Sequence, residues 1–119
     1  MLRASVQLTA LTAIVLAAAC TAFDTPDTYN RHRLSDITLP RDGSGGDGDI
    51  FFFDVTVTAE FPDNNSAAEA ERMKWLTEWL EVRHMCPTGF EILNKRQFDY
   101  MEDNPARRDL RYEARCKAS

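Results

Sequence analysis

From residue 50 onward the hydrophobic pattern of the chain changes period twice. Between Ile50 and Glu60, Phe51, Phe53, Val55, Val57 and Ala59 alternate with Phe52, Asp54, Thr56, Thr58 and Glu60. A period of two predicts a strand with one packed face and one wet face, the pattern of an antiparallel sheet. Ser66-Ala67-Ala68-Glu69 then reads as a capping box, so a helix is expected from about Ala67 to Arg83 or His84. Its buried arc would carry Met73, Leu76 and Leu80 on one side and Ala68, Trp75, Trp79 and Val82 on the other. Lys74, Thr77, Glu78 and Glu81 would face water, and Trp75, near the arc's margin, is the better tryptophan for an exposed partner-binding edge. Phe90–Asn94 begins a second strand that extends through Lys95 to Phe98, and Asp103-Asn104-Pro105 marks a turn. Leu110, Tyr112, Ala114 and Cys116 alternate with Arg111, Glu113, Arg115 and Lys117 in a third strand. The expected architecture of residues 50–119 is α+β: a small two-layer sandwich in β-α-β-β order, one helix on a three-stranded, mainly antiparallel sheet.

Before residue 50 the pattern is different. Met1-Leu2-Arg3 and the apolar run Ala4–Ala19 form a signal-peptide pattern over residues 1–19. A bilayer core of about 30 Å needs about 20 apolar residues in helix, so the run is short for a permanent span. Val15-Leu16-Ala17-Ala18-Ala19-Cys20 resembles the lipobox of bacterial lipoproteins, with Ala17 where that family usually has Leu. The resemblance implies cleavage before Cys20 and lipidation of that cysteine with two or three acyl chains. One chain binds a membrane marginally, and two or more anchor it firmly. Thr21 in place of Asp implies the outer membrane rather than the inner, with the domain facing the periplasm. Ala17-Ala18-Ala19 also satisfies an ordinary A-x-A site, which would release a soluble periplasmic protein.

Residues 20–49 are polar and hold Pro26, Pro40 and four of the five glycines, all four between Gly43 and Gly48. They are expected to form the lipidated N-terminus and a flexible tether, because so little apolar surface cannot offset ordering entropy. Asp42, Ser44, Asp47 and Asp49 raise the question of calcium. The spacing fails the EF-hand pattern, which needs glycine where Asp47 would fall.

Three cysteines in an exported chain leave one over after any one disulfide. Lipidation of Cys20 would remove it, leaving Cys86 and Cys116 as a pair suited to an oxidising compartment. A hairpin of the second and third strands would bring those two cysteines together. The formal charge of −5 with only two histidines argues against nucleic-acid binding. His84 with Cys86 falls short of a zinc set, and no Ser/His/Asp, HExxH or phosphate-loop pattern is present, so neither cofactor nor catalytic residue is assigned. The candidate interaction surface comprises Trp75, Arg111, Arg115 and Lys117. The three basic residues would cross-pair with Asp54 and Glu60 or bind an anionic envelope component. The mature region also resembles small uncharacterised proteobacterial lipoproteins with a Trp-Leu-x-x-Trp-Leu helix and a Cys-Pro-x-Gly turn, here Trp75–Leu80 and Cys86–Gly89. That resemblance implies a lipid-anchored, non-enzymatic interaction or accessory module with an envelope partner. The alternative is a binder of a small ligand or envelope polymer. A concave pocket with convergent polar groups would favour the binder, and an exposed apolar patch the module.

Overall fold

The computed structural model describes residues 26–40 and 50–118. The signal-peptide and Cys20 readings, and the glycine-rich stretch 41–49, lie outside the described residues. Six elements follow in order: α1 (Pro26–Leu34), β1 (Ser35–Thr38), β2 (Ile50–Val55), α2 (Ser66–Val82), β3 (Phe90–Gln97) and β4 (Leu110–Cys116). The strands form one sheet in the order β1-β2-β4-β3, every neighbouring pair antiparallel. The α+β class therefore holds, with a fourth strand and a second helix added to the expected plan.

Both additions come from residues assigned to the tether, and that assignment is corrected for 26–38. Pro26 opens α1 with its φ already suited to a first turn, Asp27 sits at the positive end of the helix dipole, and Arg31, His32 and Arg33 sit at the negative end. These local terms are small. Burial adds the rest: Leu34 and Ile37 are only 2% and 6% exposed, each contributing about 1.5–3 kcal/mol. Trp79 of α2 holds the pair in place. Its Nε1 donates to Ser35 Oγ at 3.0 Å, Arg31 stacks on its ring at 5.1 Å, and His32 meets it edge-on at 4.9 Å. His32 is thus packed on the domain rather than loose in a tether. β1 then pairs with β2, Ile37 opposite Phe53 and Asp36 opposite Asp54.

β2 stops at Val55, five residues before the alternating pattern ends. Beyond it the backbone finds other partners: Thr56 N–H donates to Leu34 O at 2.8 Å and Val57 N–H to Asp109 Oδ2 at 2.7 Å. The cap of α2 is shifted by one residue from the expected box. Asn65 is the N-cap, its side chain accepting from Ala68 N–H at 2.9 Å, and Ser66 is already helical. Glu69, released from capping, accepts from the Tyr112 hydroxyl at 2.7 Å and pairs with Arg72 and Lys95 at 3.3 Å.

α2 buries Ala68, Arg72, Trp75, Leu76, Trp79 and Leu80 against the sheet, while Val82 is exposed. Trp75 is 0% exposed, its ring 5.0 Å from that of Phe61, which overturns its place on an exposed edge. The apolar arc is completed by a cation. Arg72 is fully buried and spends one nitrogen, Nη2, on Phe61 O and Pro62 O, both at 2.7 Å. The helix ends in a Schellman arrangement, Met85 N–H to Leu80 O at 2.8 Å and His84 N–H to Glu81 O at 3.2 Å, with His84 left-handed at φ 55°. His84 is therefore a backbone feature of the helix end.

The β3–β4 hairpin forms as expected, Phe90 opposite Cys116 and Gln97 opposite Leu110. Cys86 and Cys116 are joined, with Cα atoms 4.8 Å apart. Gly89, at φ 103°, turns the chain from the disulfide into β3, a conformation that suits glycine.

Candidate functional site

Among the described residues, α1 and α2 cover one face of the sheet, and the opposite face is crossed only by the β3–β4 loop. Face alternation places Thr38, Phe52, Asp54, Arg111, Glu113 and Arg115 on this open side. Among them Asp54 and Arg111 lie directly opposite each other. Arg111 Nε and Nη2 donate to the two carboxylate oxygens of Asp54 at 2.8 and 3.0 Å, and Thr38 Oγ1 donates to Asp54 Oδ2 at 2.7 Å. The guanidinium lies between the rings of Phe52 and Phe98, 4.3 and 4.6 Å from their centroids. The expected cross-pairing is realised for Asp54; Glu60 lies beyond β2 and takes no part in the ladder.

The network continues into the loop. Arg111 Nη1 donates to Glu102 Oε2 at 3.1 Å, and Arg96 holds both Glu102 oxygens at 2.7 and 2.6 Å. The hydrogen bonds from Arg96, helped by the Asp99 amide, lower the Glu102 carboxyl to about 2. Asp99–Glu102 is a tight turn, Glu102 N–H donating to Asp99 O at 3.0 Å, with a second brace from Met101 N–H to Asp99 Oδ1 at 3.1 Å. Its central residues, Tyr100 and Met101, are 93% and 78% exposed. Further along, Asn104 bridges the amide and carbonyl of Arg108 at 2.8 and 2.7 Å. Arg108 donates in turn to Arg33 O at 2.9 Å and Thr56 Oγ1 at 3.0 Å, tying the loop to the α1–β1 junction.

Between this loop and β1 lies a cleft of about 340 Å³, with Asp36, Thr38, Leu39, Phe52, Phe98 and Arg108 among its lining. Burial pushes the Asp36 carboxyl up, against the pull of Arg108 at 3.4 Å. Asp54, Arg111 and Glu102 of the lining are paired with one another, while Asp36 Oδ1 and Arg108 Nε are buried without a hydrogen-bond partner among the described residues. No group of three or more His, Cys, Asp and Glu among the described residues is arranged to hold a metal ion.

The sequence-derived surface is therefore only partly assembled. Arg111 and Arg115 share the open face, but Arg111 is committed to Asp54 and Glu102, and Arg115 to Glu91. Lys117 is exposed beyond the end of β4, Trp75 lies in the core, and Cys20 lies outside the described residues. The open face of β4 is mixed in charge, with Glu113 between Arg111 and Arg115 and with Asp54 and Glu91 opposite the two arginines. Tyr100, Met101, Glu102 and Arg96 were not singled out from the sequence; the available signal was two large apolar residues between Asp99 and Glu102 in a turn. Comparison with protein-family models, curated proteins and solved structures finds no match to the chain. No helix among the described residues is long and apolar enough to cross a membrane.

Proposed function

We propose that the chain is a cell-envelope lipoprotein, anchored through Cys20, whose domain serves as a non-enzymatic interaction module and presents the Tyr100–Met101 turn to a protein partner. The observation that carries this reading is the combination of exposure and bracing at that turn. Two large apolar side chains stand in water while Glu102, beside them, is held by two arginines. Aromatic anchors of this kind dominate binding energy at interfaces, and a turn already ordered loses less entropy on docking. The cleft supports the second reading, a small-ligand binder, through its volume of about 340 Å³. The pairing of Asp54, Arg111 and Glu102 with one another opposes that reading, since it takes three of the charged groups in the lining out of ligand binding.

The Cys86–Cys116 disulfide supports the envelope location, because such bonds persist in oxidising compartments. It also leaves Cys20 as the cysteine over, consistent with the lipobox-like residues before it. The anchor is tested by mass spectrometry of the N-terminal peptide: Cys20→Ala abolishes the acyl mass, and an unchanged mass overturns the lipoprotein reading. The interaction is tested with a photo-crosslinking residue at position 100 in cells that express the protein. A discrete adduct is expected, absent when the probe replaces Thr77 on the outer side of α2. Equal capture from both positions, or none from position 100, removes the turn as the contact.

A further inference from the structure

Among the described residues β3 is an outer strand of the sheet, and its eight residues have no strand of the described chain beyond them. Glu91 to Lys95 are all exposed, the apolar Ile92 and Leu93 included. An exposed edge of this length is a template for another strand. What the edge fits is written in its charges and in one irregularity.

Acid lies near the start of β3, at Glu91, and base near its end, at Lys95 and Arg96. Parallel self-pairing in register would set like charge beside like; antiparallel self-pairing sets unlike charges together. The register against β4 slips by one residue between Ile92 and Asn94. Before the slip, Glu91 faces the open side with Arg115; after it, Arg96 faces the same side with Arg111. In a regular strand, residues five apart point to opposite faces. The bulge thus brings Glu91 and Arg96 onto one face, as a two-fold antiparallel pairing needs.

We propose that the chain forms a two-fold homodimer in which β3 pairs antiparallel with β3 of a second copy, continuing the sheet across both molecules. The matching register sets Phe90 opposite Gln97 of the second copy, Glu91 opposite Arg96, Ile92 opposite Lys95 and Leu93 opposite Asn94. The two-fold axis falls between Leu93 and Asn94, so the Glu91–Arg96 contact occurs twice. The side chains of Glu91 and Arg96 are 47% and 38% exposed. Each therefore keeps solvent-exposed surface although it is paired within its own chain, Glu91 with Arg115 and Arg96 with Glu102. The bulge and Lys95, which discourage indiscriminate strand addition, are accommodated in this register.

The test is sedimentation equilibrium of the full chain in density-matched mild detergent, comparing wild type, Glu91→Arg and Arg96→Glu. Circular dichroism and the intact Cys86–Cys116 bond report folding. The wild type is expected to show a concentration-dependent dimer. Each variant alone, with two repulsive contacts, is expected to dissociate about tenfold more readily. Mixing the two variants restores both contacts, so the mixture recovers a heterodimer of wild-type affinity. A folded wild type that stays monomeric overturns the proposal. So does a dimer indifferent to both substitutions, or a mixture that fails to recover.

Discussion

At the scale of single residues, Glu102 carries the largest electrostatic commitment on the open face. Its two arginine partners hold the folded-state carboxyl at about 2, against an ordinary value of 4.5. A carboxylate lowered on folding contributes stability that is fully present above its unfolded value and is lost as pH falls toward the folded one. The urea midpoint is therefore expected to drop between about pH 4.5 and pH 2. Glu102→Gln should flatten that part of the profile, and an unchanged acid limb would show that Glu102 is not its source. Asp36 acts with opposite sign. Burial raises its carboxyl, so its contribution is present at low pH and fades as pH rises through the raised value. The pairing of Arg111 with Asp54 was legible from alternation, because two antiparallel strands with charges on their wet faces can match them across the ladder. The burial of Trp75 was legible from the helical period as well; that it offers no exposed edge was not, because a wide helical arc does not say how far over its margin the sheet reaches.

At the scale of elements, α1 and β1 are the part that composition concealed. α1 carries several charges and one deeply buried leucine, so no apolar stripe announces it. A helix of nine residues is also too short to stand alone in water. It forms because Trp79, 44 residues beyond Ser35, supplies a ring, an N–H and a neighbouring apolar layer. Leu34→Ala is accordingly expected to destabilise the whole domain by about 2–5 kcal/mol in equilibrium denaturation. A tether residue at that position would show no change. The end of β2 teaches the same lesson in reverse. The alternation continues to Glu60, but Thr56 and Val57 leave the ladder for Leu34 O and the Asp109 carboxylate, partners no local pattern names.

At the scale of the whole molecule, the disulfide joins the start of β3 to the end of the central strand β4, across 30 residues. In the chain-entropy account, closing such a loop stabilises by about 3–4 kcal/mol, much of what a domain of this size possesses. Reduction should lower the unfolding free energy by about 3–4 kcal/mol, and an unchanged free energy would mean that the reduced chain is equally constrained. The sequence by itself determined the period of each segment from 50 to 117, hence the α+β class, the β3–β4 hairpin and the joining of Cys86 to Cys116. The class and the hairpin rest on local alternation, which neighbouring residues specify, and the cysteine pair follows from the hairpin, which returns the chain to its starting end. Only the tertiary structure decided that residues 26–38 complete the sheet and its helical layer, that Arg72 lies in the core and Trp75 keeps no exposed edge, and that Tyr100 and Met101 stand out on a braced turn. Each of these depends on a partner distant in the chain, such as Trp79 for α1 or Arg96 and Arg111 for Glu102, and no local pattern encodes which partner will arrive.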